Sequence, residues 1–219
     1  MHAIIQARMG SKRLPGKSLM RLGDYTILES VIKRVSKSKK IKTIIVATSR
    51  NKVDDKIKNL CKKMNIQCYR GSNINVFSRF VAISKIKKLK SFVRICADSP
   101  FIDPKLLDQL IKIFKNNDYK IVTNVFPKTF PSGQSIEIFD ANFFCSFSKI
   151  VKKKRDLEHV TTFFYDRKKF KILNIKNDFK FFKKKLSIDN LNEYIRAKNF
   201  CMKYKNSLNF TWKKIIKYY

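Results

Sequence analysis

The chain is short of acid. Sixteen Asp and Glu stand against 50 Lys and Arg in 219 residues, a formal charge of +34. It holds two histidines, His2 and His159. No Ser-His-Asp or Cys-His set can be assembled from so few, which excludes nucleophilic catalysis of that kind. The five cysteines, Cys61, Cys68, Cys96, Cys145 and Cys201, are scattered and contain no C-x-x-C pair. That excludes a disulfide framework and a structural zinc site. Most lie among apolar neighbours in predicted elements, where free cysteine behaves as a small hydrophobe. No run of eighteen or more apolar residues occurs, so no membrane insertion is expected. Met1-His2-Ala3-Ile4-Ile5 passes straight into a predicted strand, without the apolar region of a signal peptide. Together these features lead to the expectation of a cytoplasmic protein.

What remains is an ordinary globular composition, 44% apolar, at a length that suits one α/β domain. The charge invites a nucleic-acid reading, and Phe179-Lys180-Phe181-Phe182-Lys183 pairs bases with aromatics as single-strand binders do. The lysines, however, spread along every predicted helix, with only short clusters at Lys37–Lys40, Lys152–Arg155 and Lys183–Lys185. No nucleic-acid-binding motif is present. Overuse of Lys, Ile, Asn and Phe accounts for the charge as compositional drift, and no specific nucleic-acid partner is expected. Such a surface still attracts anionic ligands such as nucleotides.

Short apolar runs alternate with amphipathic stretches, the pattern of a mostly parallel sheet flanked by helices. Strands are predicted at Ala3–Ala7, Thr43–Thr48, Ile66–Tyr69, Phe92–Cys96, Lys120–Val125, Ser135–Phe139, Phe170–Ile175 and Leu186–Ile188. Thr26 and Glu29 form a capping box, and Asp103-Pro104 supplies a cap and a first-turn proline. Helices are predicted near Asn75–Lys87, Glu158–Tyr165 and Asn190–Lys203. The domain is expected to span residues 1–205, with 126–165 an irregular subregion and 206–219 a C-terminal tail helix.

The loop Ala7-Arg8-Met9-Gly10-Ser11-Lys12-Arg13-Leu14-Pro15-Gly16-Lys17 follows the first strand. Backbone N–H groups there can point at a phosphate chain, and Arg8, Arg13 and Lys17 add charge to the same few residues. It is not a Walker loop, because five residues separate Gly10 from Gly16 where that motif requires four. On the residues alone, it is either a diphosphate or triphosphate cradle or a basic surface loop.

The order IIQARMGSKRLPGK closely resembles the opening motif of the sugar cytidylyltransferases, especially the spore coat polysaccharide branch related to the CMP-Kdo and acylneuraminate enzymes. Further stretches resemble that family in order: Val46-Ala47-Thr48 with Asp54-Asp55; Arg70-Gly71-Ser72 with Val76-Phe77-Ser78-Arg79-Phe80; and Arg94-Ile95-Cys96-Ala97-Asp98-Ser99-Pro100-Phe101-Ile102-Asp103-Pro104. Phe130 to Phe139, Glu158-His159-Val160-Thr161 and Leu186-Ser187-Ile188-Asp189 follow. The motif resemblance ends near Phe200, leaving Asn206–Tyr219 outside it.

The resemblance implies a single-domain, Rossmann-like mixed sheet of the nucleotide-diphospho-sugar transferase type, with CTP above the C-terminal strand ends. It implies a nucleotide site at Ala7, Arg8, Met9, Gly10, Ser11, Arg13, Lys17 and Arg70. Arg13, Lys17 and Asp98 would be catalytic, and Asp98 and Asp189 would hold Mg²⁺, which suits two carboxylates plus substrate phosphates. Taken singly, Asp189 is equally a helix cap, since it directly precedes a helix. Gln134, Glu137 and His159 are the candidates for the acceptor, a sugar acid. His159 is otherwise a surface histidine, and Glu137 otherwise faces solvent. A homodimer is expected, with Phe143, Phe144, Phe147, Phe163, Phe164 and Tyr165 supplying apolar interface. The alternatives are a same-fold nucleotidyltransferase with another nucleotide or acceptor, a degenerate relative, or a nucleic-acid-binding protein.

Overall fold

Strand β1 (His2–Gln6) is buried on both sides: Ala3, Ile4 and Ile5 are each fully enclosed, although successive side chains point in opposite directions. Such a strand must sit mid-sheet, with helices on both faces. The computed structural model describes residues 1–167, 169–177 and 181–219, and β1 is central in it. After the hairpin β2 (Arg21–Leu22) and β3 (Tyr25–Thr26) come β4 (Thr43–Ser49), β5 (Gln67–Gly71), β6 (Ser91–Cys96), β7 (Ile121–Thr123), β8 (Glu137–Asp140) and β9 (Ile172–Asn174). Seven of these strands form one sheet in the order β5-β4-β1-β6-β8-β7-β9. Its pairs are parallel except where β8 meets β6 and β7.

The helices are α1 (Ile27–Ser36), α2 (Asp55–Lys63), α3 (Val76–Ile86), α4 (Pro104–Lys115), α5 (Ala141–Ser146), α6 (Lys154–His159), α7 (Thr162–Tyr165), α8 (Leu191–Lys203) and α9 (Trp212–Tyr218). Residues from α1, α2, α4, α8 and α9 share one apolar core with Ala3, Ile5, Val46, Val93 and Ile95. On the other face α3, α5 and α7 enclose Ile4, Ile45, Phe92 and Phe139. The predicted start signals hold. Thr26 and Glu29 cap α1 reciprocally, and Asp103 accepts from the N–H groups of Lys105 and Leu106 at the start of α4.

Three expectations are corrected. The helix predicted over Glu158–Tyr165 breaks into α6 and α7 at Val160, whose φ is +64°. Leu186–Ile188 joins no sheet. It runs as an extended segment in which Leu186 N–H donates to Ser132 O at 2.8 Å and Ile188 N–H to Asp98 O at 2.9 Å. Gly133 permits this approach, since its φ is +91° and a Cβ there would stand 2.7 Å from the backbone of Leu186 and Ser187. Finally, the aromatics expected at a dimer contact are mostly used inside the chain. Phe144, Phe163 and Phe164 are buried against Phe77, Phe139 and one another, with Phe143 and Phe147 packed beside them. Of the basic aromatic stretch, Phe179 and Lys180 lie outside the described residues.

The C-terminal segment is tied to the body by two buried charges. Arg34, fully enclosed, donates to the carbonyls of Ile102, Ser207 and Phe210. Asp103 accepts from Trp212 N–H at 2.8 Å. Burial pulls the Arg34 guanidinium down to about 10, with Asp103 acting against the shift.

Candidate active site

The strand ladder continues one residue past β1 and β6: Ala7 N–H donates to Ala47 O and Ala97 N–H to Gln6 O. The chain beyond each end therefore emerges side by side at the C-terminal edge of the sheet. From β1 the glycine-bearing loop turns back on itself. Met9 O accepts from both Ser11 and Gly16 N–H, each at 2.9 Å, and the Ser18 hydroxyl donates to Arg8 O at 3.1 Å. Gly16 makes the turn in the left-handed region, φ +71°, and delivers Lys17 inward. From β6 the chain delivers Asp98, which Ser99 Oγ contacts at 3.1 Å. The Ile188–Asp98 backbone bond then brings Asp189 alongside.

Lys17 joins these segments. Its Nζ lies 2.7 Å from Ile188 O, 3.0 Å from Asp189 Oδ1 and 3.4 Å from Asp98 Oδ2. Arg13 Nη2 stands 3.1 Å from the same Asp189 oxygen, and Lys185 Nζ lies 3.6 Å from the other. Burial works to raise the Asp189 carboxyl, but Lys17, Arg13 and Lys185 outweigh it and hold the group below the ordinary aspartate range. Asp189 is not the cap of α8. That role falls to Asn190, which exchanges capping bonds with Glu193, so the Asp189 side chain is left to face Lys17.

The donor chemistry fits a hard divalent cation. Two carboxylates, remote in sequence, reach one point from two segments. Among the described residues no group of three or more His, Cys, Asp or Glu side chains gathers as a cage. A cation between Asp98 and Asp189 would therefore draw its remaining oxygens from substrate or water, as Mg²⁺ commonly does.

The opposite wall comes from α3 and α6. Arg8 Nη2 reaches across to Glu158 Oε1 at 2.8 Å, and both side chains are nearly two-fifths exposed. The Arg8 guanidinium holds the Glu158 carboxyl below its usual range. Arg79, buried, gives its N–H groups to the carbonyls of Ser72, Ala47 and Asn73, and burial pushes it down to about 10. Gln6, Arg94 and Cys96 form part of the floor. Burial pushes the Cys96 thiol up to about 12, too high for a nucleophile at neutral pH. The cleft encloses about 450 Å³ and is lined by Ala7, Arg8, Ser11, Arg13, Lys17, Asp98, His159 and Asp189 among others. A second cavity of about 290 Å³, between the β2–β3 hairpin and α8, contains none of these residues.

Five expected site residues are elsewhere. Met9 and Gly10 shape the loop without lining the cleft, and Met9 N–H is held by Asp54 Oδ1 at 2.7 Å. Arg70 turns to Ser49 O, Asn51 O and Asp55. Gln134 is fully buried, bonded to Asp103 N–H and Phe101 O. Glu137 lies beneath the floor, 3% exposed, paired with Arg94. Arg79, Arg94 and Glu158 line the cleft without being among the expected site residues. The one local signal for Arg94 is its charge inside a predicted buried strand, two residues before Cys96.

A family model described as cytidylyltransferase matches residues 2–218, running past Phe200 where the motif resemblance ends. An uncharacterized protein of Methanocaldococcus jannaschii is 39% identical over 163 residues, 74% of this chain and 66% of that protein. The spore coat polysaccharide biosynthesis protein SpsF of Bacillus subtilis is 36% identical over 167 residues, 73% of this chain and 68% of that one. The chain thus spans about two thirds of the length of these curated relatives. A solved cytidylyltransferase from Leptospira borgpetersenii superposes with a TM-score of 0.93 at 32% identity, over 98% of this chain and 91% of that one.

Proposed function

Since this chain belongs to the cytidylyltransferase family, we propose that it transfers CMP from CTP to a hydroxyl of a sugar acid of the keto-sugar type, with release of pyrophosphate. The observation that carries this reading is the ammonium of Lys17, held between Asp98 and Asp189 in a loop that also presents Arg8 and Arg13. In the reaction the acceptor oxygen attacks the α-phosphorus, the bond from that phosphorus to pyrophosphate breaks, and the hydroxyl proton leaves to solvent. Arg8, Ser11, Arg13 and Lys17 hold the triphosphate. Lys17 answers the charge that grows on the α-phosphoryl and departing oxygens, where a fixed cation in a sheltered cleft has its greatest effect. Asp98 and Asp189 would hold Mg²⁺, which supplies charge neutralisation of the phosphates when bound. Positioning does the rest, and no side-chain nucleophile is needed.

The test is pyrophosphate release from each of the four ribonucleoside triphosphates with Mg²⁺ and a panel of sugar acids and neutral sugars. Release specific to CTP, at least 100-fold lower in Asp98→Ala, is expected. Failure of CTP to bind in calorimetry would remove the reading.

Arg8 has two claimants in this scheme, Glu158 and the triphosphate. Glu158→Gln should therefore bind CTP several-fold more tightly than the natural chain. The advantage has a pH signature. The Glu158 pKa is depressed by Arg8, so the carboxylate competes at neutral pH and ceases to compete once pH falls through that lowered value. The two proteins should converge in CTP affinity on the acid side. A constant ratio across pH would show that Glu158 does not compete for Arg8.

A further inference from the structure

Arg94 is a buried guanidinium with one edge left over. Its residue in β6 pairs directly with Glu137 of β8, and Glu137 with Thr123 of β7, so these side chains form a row across one face of the sheet. The row is bonded throughout. Arg94 Nε donates to Gln6 Oε1 at 3.0 Å, and Nη1 donates to Glu137 Oε2 and, at 3.5 Å, to Thr161 Oγ1. The second Glu137 oxygen accepts from Tyr165 OH, which also reaches Thr123 Oγ1. Burial disfavours the Arg94 charge, but Glu137 more than restores it. Only Nη2 makes no hydrogen bond among the described residues. Nor is that nitrogen sealed in the interior, where an unpaired donor would be costly. The Arg94 side chain is 10% exposed, and what is exposed lines the cleft.

A second, independent feature lies above it. His159, Val160 and Thr161 form a γ-turn closed by Thr161 N–H to His159 O at 2.6 Å, with Val160 at φ +64° and ψ −53°. That hand of γ-turn is strained, and a β-branched residue is a poor occupant of it. Such strain persists where the surroundings enforce it, commonly at ligand-binding sites. Here it directs His159 and Glu158 into the cleft while returning Thr161 to Arg94.

We propose that Nη2 of Arg94 binds the carboxylate of the acceptor sugar, making Arg94 the residue that selects an anionic acceptor. The assignment rests on the cytidylyltransferase reading and deepens it. Arg94 and Cys96 lie along one side of β6 and line the same cleft as Lys17 and Asp98, so an acceptor over Cys96 has Lys17 and Asp98 within the cleft as well as Arg94. The cleft lining has cations to spare, with Arg8, Lys12, Arg13, Lys17, Arg79 and Arg94 against Asp98, Glu158 and Asp189. A guanidinium already locked on two sides binds a carboxylate with little ordering cost. Glu137, first expected to touch the acceptor, is on this account a positioning residue that acts through Arg94.

The experiment pairs each acid with its neutral counterpart: Kdo and N-acetylneuraminate against their carboxyl-reduced alcohols, with CTP and Mg²⁺. An acid should be used and its alcohol not. Arg94→Lys, which leaves Glu137 a charged partner, should raise the acid's KM tenfold or more while the KM for CTP stays within twofold. The double variant Arg94→Gln with Glu137→Gln removes both charges together and should show the same split, with its far-ultraviolet circular dichroism unchanged. Equal use of acid and alcohol, an acid KM unmoved in Arg94→Lys, or bound CTP with no acid accepted would each overturn the assignment. Absence of CTP binding in the natural chain would instead remove the parent reading.

Discussion

Replacing Lys17 by methionine should lower CTP turnover by about 100- to 1,000-fold, the usual loss when one preorganised group that stabilises transition-state charge is removed. Methionine keeps most of the stem and removes the charge, so the packing of the loop survives. Arginine should not restore the rate. Its planar fork is larger than an ammonium and cannot occupy the point where Ile188 O, Asp189 and Asp98 converge at 2.7, 3.0 and 3.4 Å. A second measurement separates the electrostatic role from a structural one. With the ammonium gone, Asp98 and Asp189 lose the one cation they share, although Asp189 keeps Arg13 and Lys185, so Mn²⁺ used as a spectroscopic probe should bind the methionine variant more tightly than the natural chain when no nucleotide is present. Turnover within tenfold of the natural rate would take Lys17 out of the chemistry. Mn²⁺ affinity unchanged or weaker would take the two aspartates out of the metal site.

The Lys17 junction also marks the division between what the sequence discloses and what it does not. The strands of the parallel sheet, the caps at Thr26 and Asp103 and the glycine-bearing loop after β1 are local, so spacing and residue type reveal them. Asp189 is a harder case. From sequence it is a helix cap or a metal ligand, and the choice depends on whether Asn190 takes the cap, which only the α8 backbone decides. Gln134 and Glu137 went the other way. Both are polar residues in a stretch whose order resembles the family's and suits a sugar pocket, yet both are drawn beneath the surface by partners distant in sequence: Asp103 and Phe101 for one, Arg94 for the other. A polar side chain satisfied by tertiary contacts leaves no periodic trace. Arg94 was concealed for the same reason, because an arginine within a predicted buried strand reads as an irregularity until its partner Glu137 is found across the ladder. The break at Val160 is invisible to helical periodicity, since nothing about valine announces a positive φ.

Asp103→Ala should destabilise the fold by about 3 kcal/mol or more, a fall in Tm of about 6–12 °C for a chain of this size. Three losses coincide in one carboxylate. Asp103 Oδ1 caps α4 through Lys105 and Leu106, a contribution of about 1 kcal/mol. Its Oδ2 is the acceptor for Trp212 N–H, and a buried N–H left unpaired costs about 1–3 kcal/mol. The third loss is electrostatic, because Asp103 is the foremost group opposing the burial penalty on Arg34, which is itself fully enclosed. Asp103→Asn separates these contributions. An amide oxygen can still cap α4 or accept from Trp212, but it brings no charge to Arg34, so this variant should fall between alanine and the natural chain. Because the hydrogen-bond partners of Asp103, namely Lys105, Leu106, Gln134 and Trp212, lie outside the cleft lining, turnover of the folded alanine variant at low temperature should stay within a few-fold of normal. A stability loss under 1 kcal/mol would mean that Arg34 holds the C-terminal segment by its own three carbonyl contacts and that α9 docks independently of Asp103.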